Sequence, residues 1–181
     1  RLYLRKLLKR DSVDMYEYSK NEVVTEYLLW SPHQSEFYTH RYLSYIQGRY
    51  RVGDFYDWAV IWKETGKMIG TCGFTRFNLE ANSAEIGYVL NPDFWGKGIA
   101  PEAVREVMKF GFTDLAPHRI EAKYMAGNTR SRRVMEKVGM TFEGINRESI
   151  HVKGRYISVG ICSILEHEYR EKYKNNGYIS R

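Results

Sequence analysis

At 181 residues, with 43% hydrophobic and 28% charged residues, the sequence has the composition of one ordinary globular domain spanning 1–181, large enough to bury a sizeable core. Its 28 lysines and arginines exceed its 22 acids, a net +6 that suits nucleic acid, a membrane surface or an anionic small molecule, and apart from Arg130, Arg132 and Arg133 the basic residues are dispersed, with no polybasic tail. No apolar run approaches a membrane span, no leader pattern opens the chain, the five histidines show no metal-ligand spacing, and Cys72 and Cys162 form no C-x-x-C. The expectation is a cytoplasmic protein with buried free thiols and no metal.

Residues 1–7 alternate as a first strand with Leu2, Leu4 and Leu7 inward. Asp11-Ser12 offers a helix N-cap for a segment to about Ser19, and a second short helix covers residues 22–28. After the breaker Trp30-Ser31-Pro32-His33, Ser35 caps a helix on which Tyr38, Tyr42, Tyr45, Ile46 and Arg49 keep helical spacing up to Gly53. Residues 55–63 and 68–78 read as strands joined by the hairpin Glu64-Thr65-Gly66-Lys67, and Gly70 and Gly73 signal a bulge or a close backbone approach.

In the next strand Ile86, Tyr88 and Leu90 alternate with Glu85, Gly87 and Val89. Asn91-Pro92-Asp93 is turn chemistry. From Ala100 a helix presents Ala103, Val104, Val107, Met108 and Leu115 on one face. Residues 118–125 form a strand reached through that helical crossover, hence parallel to the Glu85 strand. A helix then runs from 129 to 138, closed by Gly139. Residues 140–143, 145–152 and 155–165 complete the sheet, with Lys153-Gly154 in the last hairpin, and 166–174 make a short polar helix. Antiparallel strands, then a helix, then a further strand give an α+β chain.

Chemistry concentrates around residues 85–131. Gly96 and Gly98 bracket Lys97 just ahead of the helix that begins Ile99-Ala100-Pro101. Backbone without Cβ atoms, free amides and the positive helix end suit a phosphate there. Glu85 shares its strand face with Gly87, which leaves space beside the carboxylate; pairing with a neighbouring Lys or Arg is the structural alternative. Asn128 is placed as an N-cap. Ser131 shares a face with Val134, Met135 and Val138, so its hydroxyl turns toward the sheet, unless it only bonds back to the i−4 carbonyl. Tyr27, Trp30, Phe37 and Tyr38 crowd the first helices, and only Trp30 sits at a breaker.

The run Trp95-Gly96-Lys97-Gly98-Ile99-Ala100 resembles the acyl-CoA pyrophosphate loop of the GCN5-related N-acetyltransferases, usually Gln/Arg-x-x-Gly-x-Gly/Ala, with Trp95 where Gln or Arg is commonest. W-G-K-G-x-A-x-E-A resembles the branch that includes the ribosomal-protein N-terminal (Rim-type) acetyltransferases, and N-x-x-S-x-x-x-M-E-K-V-G-M also matches the family. The resemblance covers nearly the whole chain and is strongest over residues 85–143. It implies the family fold: a central mixed, mostly antiparallel sheet with a splayed parallel strand pair, flanked by helices.

The resemblance also implies acetyl-CoA as co-substrate and an amine acceptor. Cofactor contacts fall on Trp95, Gly96, Lys97, Gly98, Ile99, Ala100, Asn128 and Ser131, and on the backbone of Tyr88, Val89 and Leu90. An amide near Val89 or Leu90 becomes the thioester-oxygen donor, Glu85 the base and Trp30 an acceptor contact. Many relatives carry a proton-donating Tyr seven residues after the Asn. Met135 stands there, which leaves Ser131 or water to protonate the thiolate, and Ser158 replaces a frequent Asp.

Direct transfer to a protein α-amine is the leading expectation. Deprotonating an α-amine at pH 7 costs roughly 1.4 kcal/mol, against about 4.6 kcal/mol for a lysine. A small amine (polyamine, amino acid or antibiotic) and a non-catalytic acyl-CoA-binding module are the alternatives. No membrane or nucleic-acid motif is present, and a homodimer is left open.

Overall fold

The computed structural model describes residues 1–53 and 55–174. Seven strands form one sheet: β1 (Leu2–Arg5), β2 (Tyr56–Trp62), β3 (Met68–Asn78), β4 (Ser83–Leu90), β5 (Arg119–Met125), β6 (Thr141–Val152) and β7 (Arg155–Leu165). They lie in the order β1-β2-β3-β4-β5-β7-β6, every neighbouring pair antiparallel except β4–β5. The helices are α1 (Ser12–Ser19), α2 (Glu22–Thr25), α3 (Glu36–Val52), α4 (Ile99–Phe110), α5 (Thr129–Lys137) and α6 (Glu166–Lys174). None among the described residues is long and apolar enough to cross a membrane.

Strand alternation divides the core between the two sheet faces. On one face Ala59, Ile61 and Met68 are buried under Met15 and Tyr18 of α1 and Leu43 and Ile46 of α3. On the other, Val60, Ile69, Cys72, Ile86 and Ile120 pack beneath Val104 and Met108 of α4, Met135 of α5, and Tyr169. The polar expectation for α6 therefore needs amending, since Tyr169 and Tyr173 are both buried.

Helix ends follow side-chain chemistry. The Tyr38 amide donates to Ser35 Oγ at 3.1 Å, and α3 stops at Gly53 with φ 87°. Asp11 departs from its expected role. Its carboxylate accepts both Arg5 guanidinium nitrogens at 2.6 and 2.7 Å and the Leu8 amide at 2.8 Å, so it closes a 3-10 turn ahead of α1 and does not cap it. The second helix ends at Thr25, earlier than its apolar pattern suggests. Residues 141–152 form one strand where two are expected, interrupted only by register shifts near Gly144 and Glu148.

The decisive feature is a parting of the sheet. β4 and β5 pair only at Ser83↔Arg119, Ala84↔Ile120 and Glu85↔Glu121. Beyond that rung β4 stays on β3 as far as Leu90↔Gly70, and β5 stays on β7 as far as Met125↔Val159. A wedge opens between the two parallel strands, as the splayed pair requires.

The glycines of β3 bring its neighbours close. A Cβ on Gly70 would lie 2.2 Å from the Val89 carbonyl oxygen, and one on Gly73 would lie 2.3 Å from Asp57 Cα. Both contacts are with backbone, so relief requires the sheet itself to move. Gly70→Ala is therefore expected to lower stability by about 1–3 kcal/mol in urea unfolding; an unchanged midpoint would contradict this packing.

Candidate active site

The wedge opens into a cavity of about 990 Å³ that runs from the start of α4, between β4 and β5, to α1–α3. That volume lies at the upper end for small-molecule sites, enough for a long cofactor and an acceptor together.

At one end lies the glycine loop. Gly96 and Gly98 have φ of 75° and 74°, a left-handed conformation that costs any other residue about 1–2 kcal/mol. Nothing crowds the Cβ direction of Gly96, and at Gly98 the nearest atom is an Arg1 nitrogen at 3.8 Å. Gly98 is the N-cap of α4, so the first amides of that helix face the cavity mouth without intrahelical partners. Arg130, Arg133 and Lys137 of α5 line the same cavity. A cradle of free amides edged by cations fits the diphosphate of coenzyme A.

Most of the expected cofactor residues meet here: Tyr88, Val89, Leu90, Trp95, Gly96, Gly98, Ile99, Ala100, Asn128 and Ser131 all line the cavity. Lys97 does not. Its ammonium turns back to donate to the Asp93 carbonyl at 2.8 Å and lies over the Phe94 ring. Trp95 has a structural duty, because its indole N–H donates to the Leu90 carbonyl at 2.7 Å while the Arg130 guanidinium stacks 4.1 Å over its ring. That bond engages one of the backbone groups expected to pair with the pantetheine. Arg132 points elsewhere, to Glu136 and the Phe142 ring.

Asn128 caps α5, with Oδ1 accepting the Ser131 amide at 3.1 Å. Ser131 Oγ lies 2.9 Å from the Tyr88 hydroxyl, which also donates to the Ser131 carbonyl at 3.0 Å. This pair joins β4 to α5, a partnership that strand alternation alone does not reveal. Burial pushes the Tyr88 phenol far up, so it stays protonated and serves as a neutral donor. Met135, where relatives carry Tyr, is 1% exposed in the core.

Glu85 stands on the cavity wall with its carboxylate engaged. Lys123 donates to it at 2.7 Å and bonds Glu121 at 2.9 Å, so one ammonium bridges the two glutamates of the last β4–β5 rung. Arg119 extends the chain from Glu121 to Glu143, whose carboxylate also accepts the Ser163 hydroxyl at 2.7 Å. The Arg119 bond chiefly holds the Glu143 carboxyl down to about 2.

The far end of the cavity is aromatic. Trp30 lies against His33 at 5.2 Å, and His33 meets Tyr38 and Tyr42 edge-on. Trp30 thus lines the end away from the glycine loop. Burial lowers the His33 pKa, and its Nδ1 is 2.8 Å from the Thr39 hydroxyl. Sequence reading overlooked Asp57 on β2, which also lines the cavity. A lone acid in the run Tyr56-Asp57-Trp58-Ala59-Val60 is the signal that marks it.

Residues 1–141 match the family model of the acetyltransferase (GNAT) domain. The chain belongs to the GNAT family of acetyltransferases. It is 37% identical over 169 residues to the uncharacterized N-acetyltransferase p20 of Bacillus licheniformis, covering 93% of this chain and 95% of that one. A GNAT-family acetyltransferase from Bacillus anthracis superposes with a TM-score of 0.83 at 31% identity, over 93% of this chain and 96% of the other. A spermidine N-acetyltransferase from Vibrio cholerae, solved with CoA and spermine, shares the fold with a TM-score of 0.78 at 24% identity, over 93% and 97% of the two chains.

The family fixes the co-substrate as acetyl-CoA, and the loop and wedge of this chain fit it. Gly98→Asp would add left-handed strain and a negative charge beside the diphosphate. Calorimetry is expected to show coenzyme A affinity reduced by about 100-fold or more; unchanged affinity would place the cofactor elsewhere.

Proposed function

We propose that this GNAT protein, an acetyl-CoA-dependent N-acetyltransferase, takes as its acceptor the α-amine of a protein N-terminus. The observation that supports the reading is the charge of the acceptor end. Among the described residues lining the cavity the only carboxylates are Asp57 and Glu85, and Glu85 already holds Lys123. A polyamine carrying three or four positive charges would meet a single carboxylate without a counter-charge. A chain terminus brings one ammonium, followed by a side chain suited to Tyr18, Trp30, His33 and Tyr42.

When bound, acetyl-CoA supplies an acetyl thioester. The cavity residues align it and manage the protons. Backbone left unpaired where β4 leaves β5 can bond the pantetheine amides as an added strand would. An amide near Val89 or Leu90 is oriented to stabilise charge on the thioester oxygen, a fixed dipole that needs no reorganisation. The Ser131 hydroxyl, backed by Tyr88, is the donor for the leaving sulfur. A carboxylate on the open sheet face takes the amine proton, a light task for an α-amine.

Mass spectrometry of products from a mixed panel tests the acceptor. Short peptides with free α-amines should gain 1 acetyl group at the terminus, about tenfold faster or more than spermidine or an N-terminally blocked lysine peptide. Acetylated spermidine with unmodified peptides would overturn the assignment.

A further inference from the structure

Asp57 is a carboxylate set in an apolar strand. It shares a sheet face with Ala59 and Ile61, both buried beneath α1 and α3. Its Oδ1 accepts the adjacent Trp58 amide at 3.0 Å. The carboxylate leans over Gly73, where a Cβ would come within 2.7 Å of Oδ1, and Gly73 pairs with Gly87 of β4. Gly73 and Gly87 thus place no side chain of their own between Asp57 and the strand that aligns the thioester, two strand spacings or about 10 Å away, and the Thr75 methyl is the group that stands over Gly87.

Among the described residues, the titratable groups around Asp57 include no partner cation. Tyr18 on α1, Tyr42 and Tyr50 on α3, and Cys72 on β3 are all raised, by burial first and by the Asp57 charge second or third. Across the cavity the Lys123 ammonium is already shared between Glu85 and Glu121. A second group is equally unmet. The Tyr18 hydroxyl is buried, lines the same cavity and has no hydrogen-bond partner among the described residues. Buried polar groups in that condition are costly, and a protein that keeps them has a use for them. An ammonium placed between the two answers both: it donates to the carboxylate and to the phenolic oxygen, and supplies the missing positive charge.

Resting on the acetyl-transfer reading of this cavity, we infer that Asp57 and Tyr18 form the port that receives the acceptor's ammonium group, with Asp57 taking its first proton. The ammonium R–NH3+ passes one proton to the carboxylate and becomes R–NH2. Its lone pair then forms the C–N bond to the acetyl carbon while the C–S bond breaks; Ser131 passes its hydroxyl proton to the departing sulfur and regains one as the nitrogen gives up a second N–H proton. Asp57 returns its proton to water through the cavity mouth.

Burial raises the Asp57 carboxyl to about 7, the range in which a general base works best near neutrality. Glu85 differs in having its counter-charge before any substrate arrives. The same burial has a signature in stability. Between pH ~4 and ~7 the folded chain holds a proton that the unfolded chain has lost, so this residue's share of stability is present at low pH and falls as pH rises through 7. Asp57→Asn removes that loss. Its melting temperature should exceed that of the parent at pH 8.5 and converge with it below pH 4, which also shows that the variant is folded.

The test is the pH dependence of kcat/KM on whichever amine of the panel reacts fastest, so a failure of the α-amine assignment leaves it intact. The parent enzyme should show an acid limb centred near pH 7. Asp57→Asn should lower kcat/KM by roughly 100-fold at pH 7 and move the limb toward the acceptor's own pKa, with coenzyme A affinity unchanged. Tyr18→Phe should raise the acceptor KM about threefold to tenfold with kcat preserved. Glu85→Gln should keep the limb. A parental profile in Asp57→Asn, or loss of the limb in Glu85→Gln alone, overturns the inference. Carbon-13 titration of the Asp57 carboxyl in the coenzyme A complex reads the same group without turnover: a midpoint near 7 supports the port, and one near 4 refutes it.

Discussion

The site depends on where two parallel strands stop pairing. At the last shared rung two like charges, Glu85 and Glu121, stand side by side; Lys123 bridges both from two residues further along β5, and Arg119 adds a second positive charge at Glu121. Such half-exposed ion pairs contribute at most about 1 kcal/mol each, too little to force strands apart. Their effect is positional, marking the end of the ladder. Above it, residues 86–90 of β4 hold on to β3 and residues 122–125 of β5 hold on to β7. Apart from the Leu90 carbonyl, which the Trp95 indole takes, the two inner edges are left with backbone groups open to water or a ligand.

Everything around the wedge serves its two ends. The glycine loop and α4 bring amides to the entrance, and α5 adds cations there. The bond between Tyr88 and Ser131 ties α5 to β4 across the base of the opening. On the opposite side the first helices bury Ala59 and Ile61 but leave Asp57, Thr71, Thr75 and Gly87 lining the cavity. A binding site for a long anionic cofactor and a smaller cationic acceptor results from one parting of the sheet, with positive charge at one end and a carboxylate without a counter-charge near the other.

How far the sequence disclosed this depended on the range of the interaction. Strand alternation, the Ser35 cap and the Gly53 stop are local, and they appear where periodicity and turn chemistry put them. The glycine loop was legible because glycine takes the left-handed conformation found at positions 96 and 98 without the cost other residues bear. The role of Asp11 was missed because Arg5 and Leu8 compete for the carboxylate that a cap would use. Lys97 was placed at the phosphate by its position between glycines, yet nothing local announces the Asp93 carbonyl that claims it. The Glu85–Lys123 pair joins residues far apart in sequence, and no periodicity connects them. Asp57 falls between these cases: its apolar neighbours advertise it, but the glycine row beside it is visible only once β2, β3 and β4 are laid side by side.

The central claim is that the cofactor's pantetheine completes the parted sheet, and amide hydrogen exchange along β4 measures this most directly. With coenzyme A added, amides within residues 86–90 should slow markedly, while those of the shared rung at Ala84 and Glu85 change little. Unaltered exchange in residues 86–90 under saturating coenzyme A would show that the wedge is not where the cofactor lies.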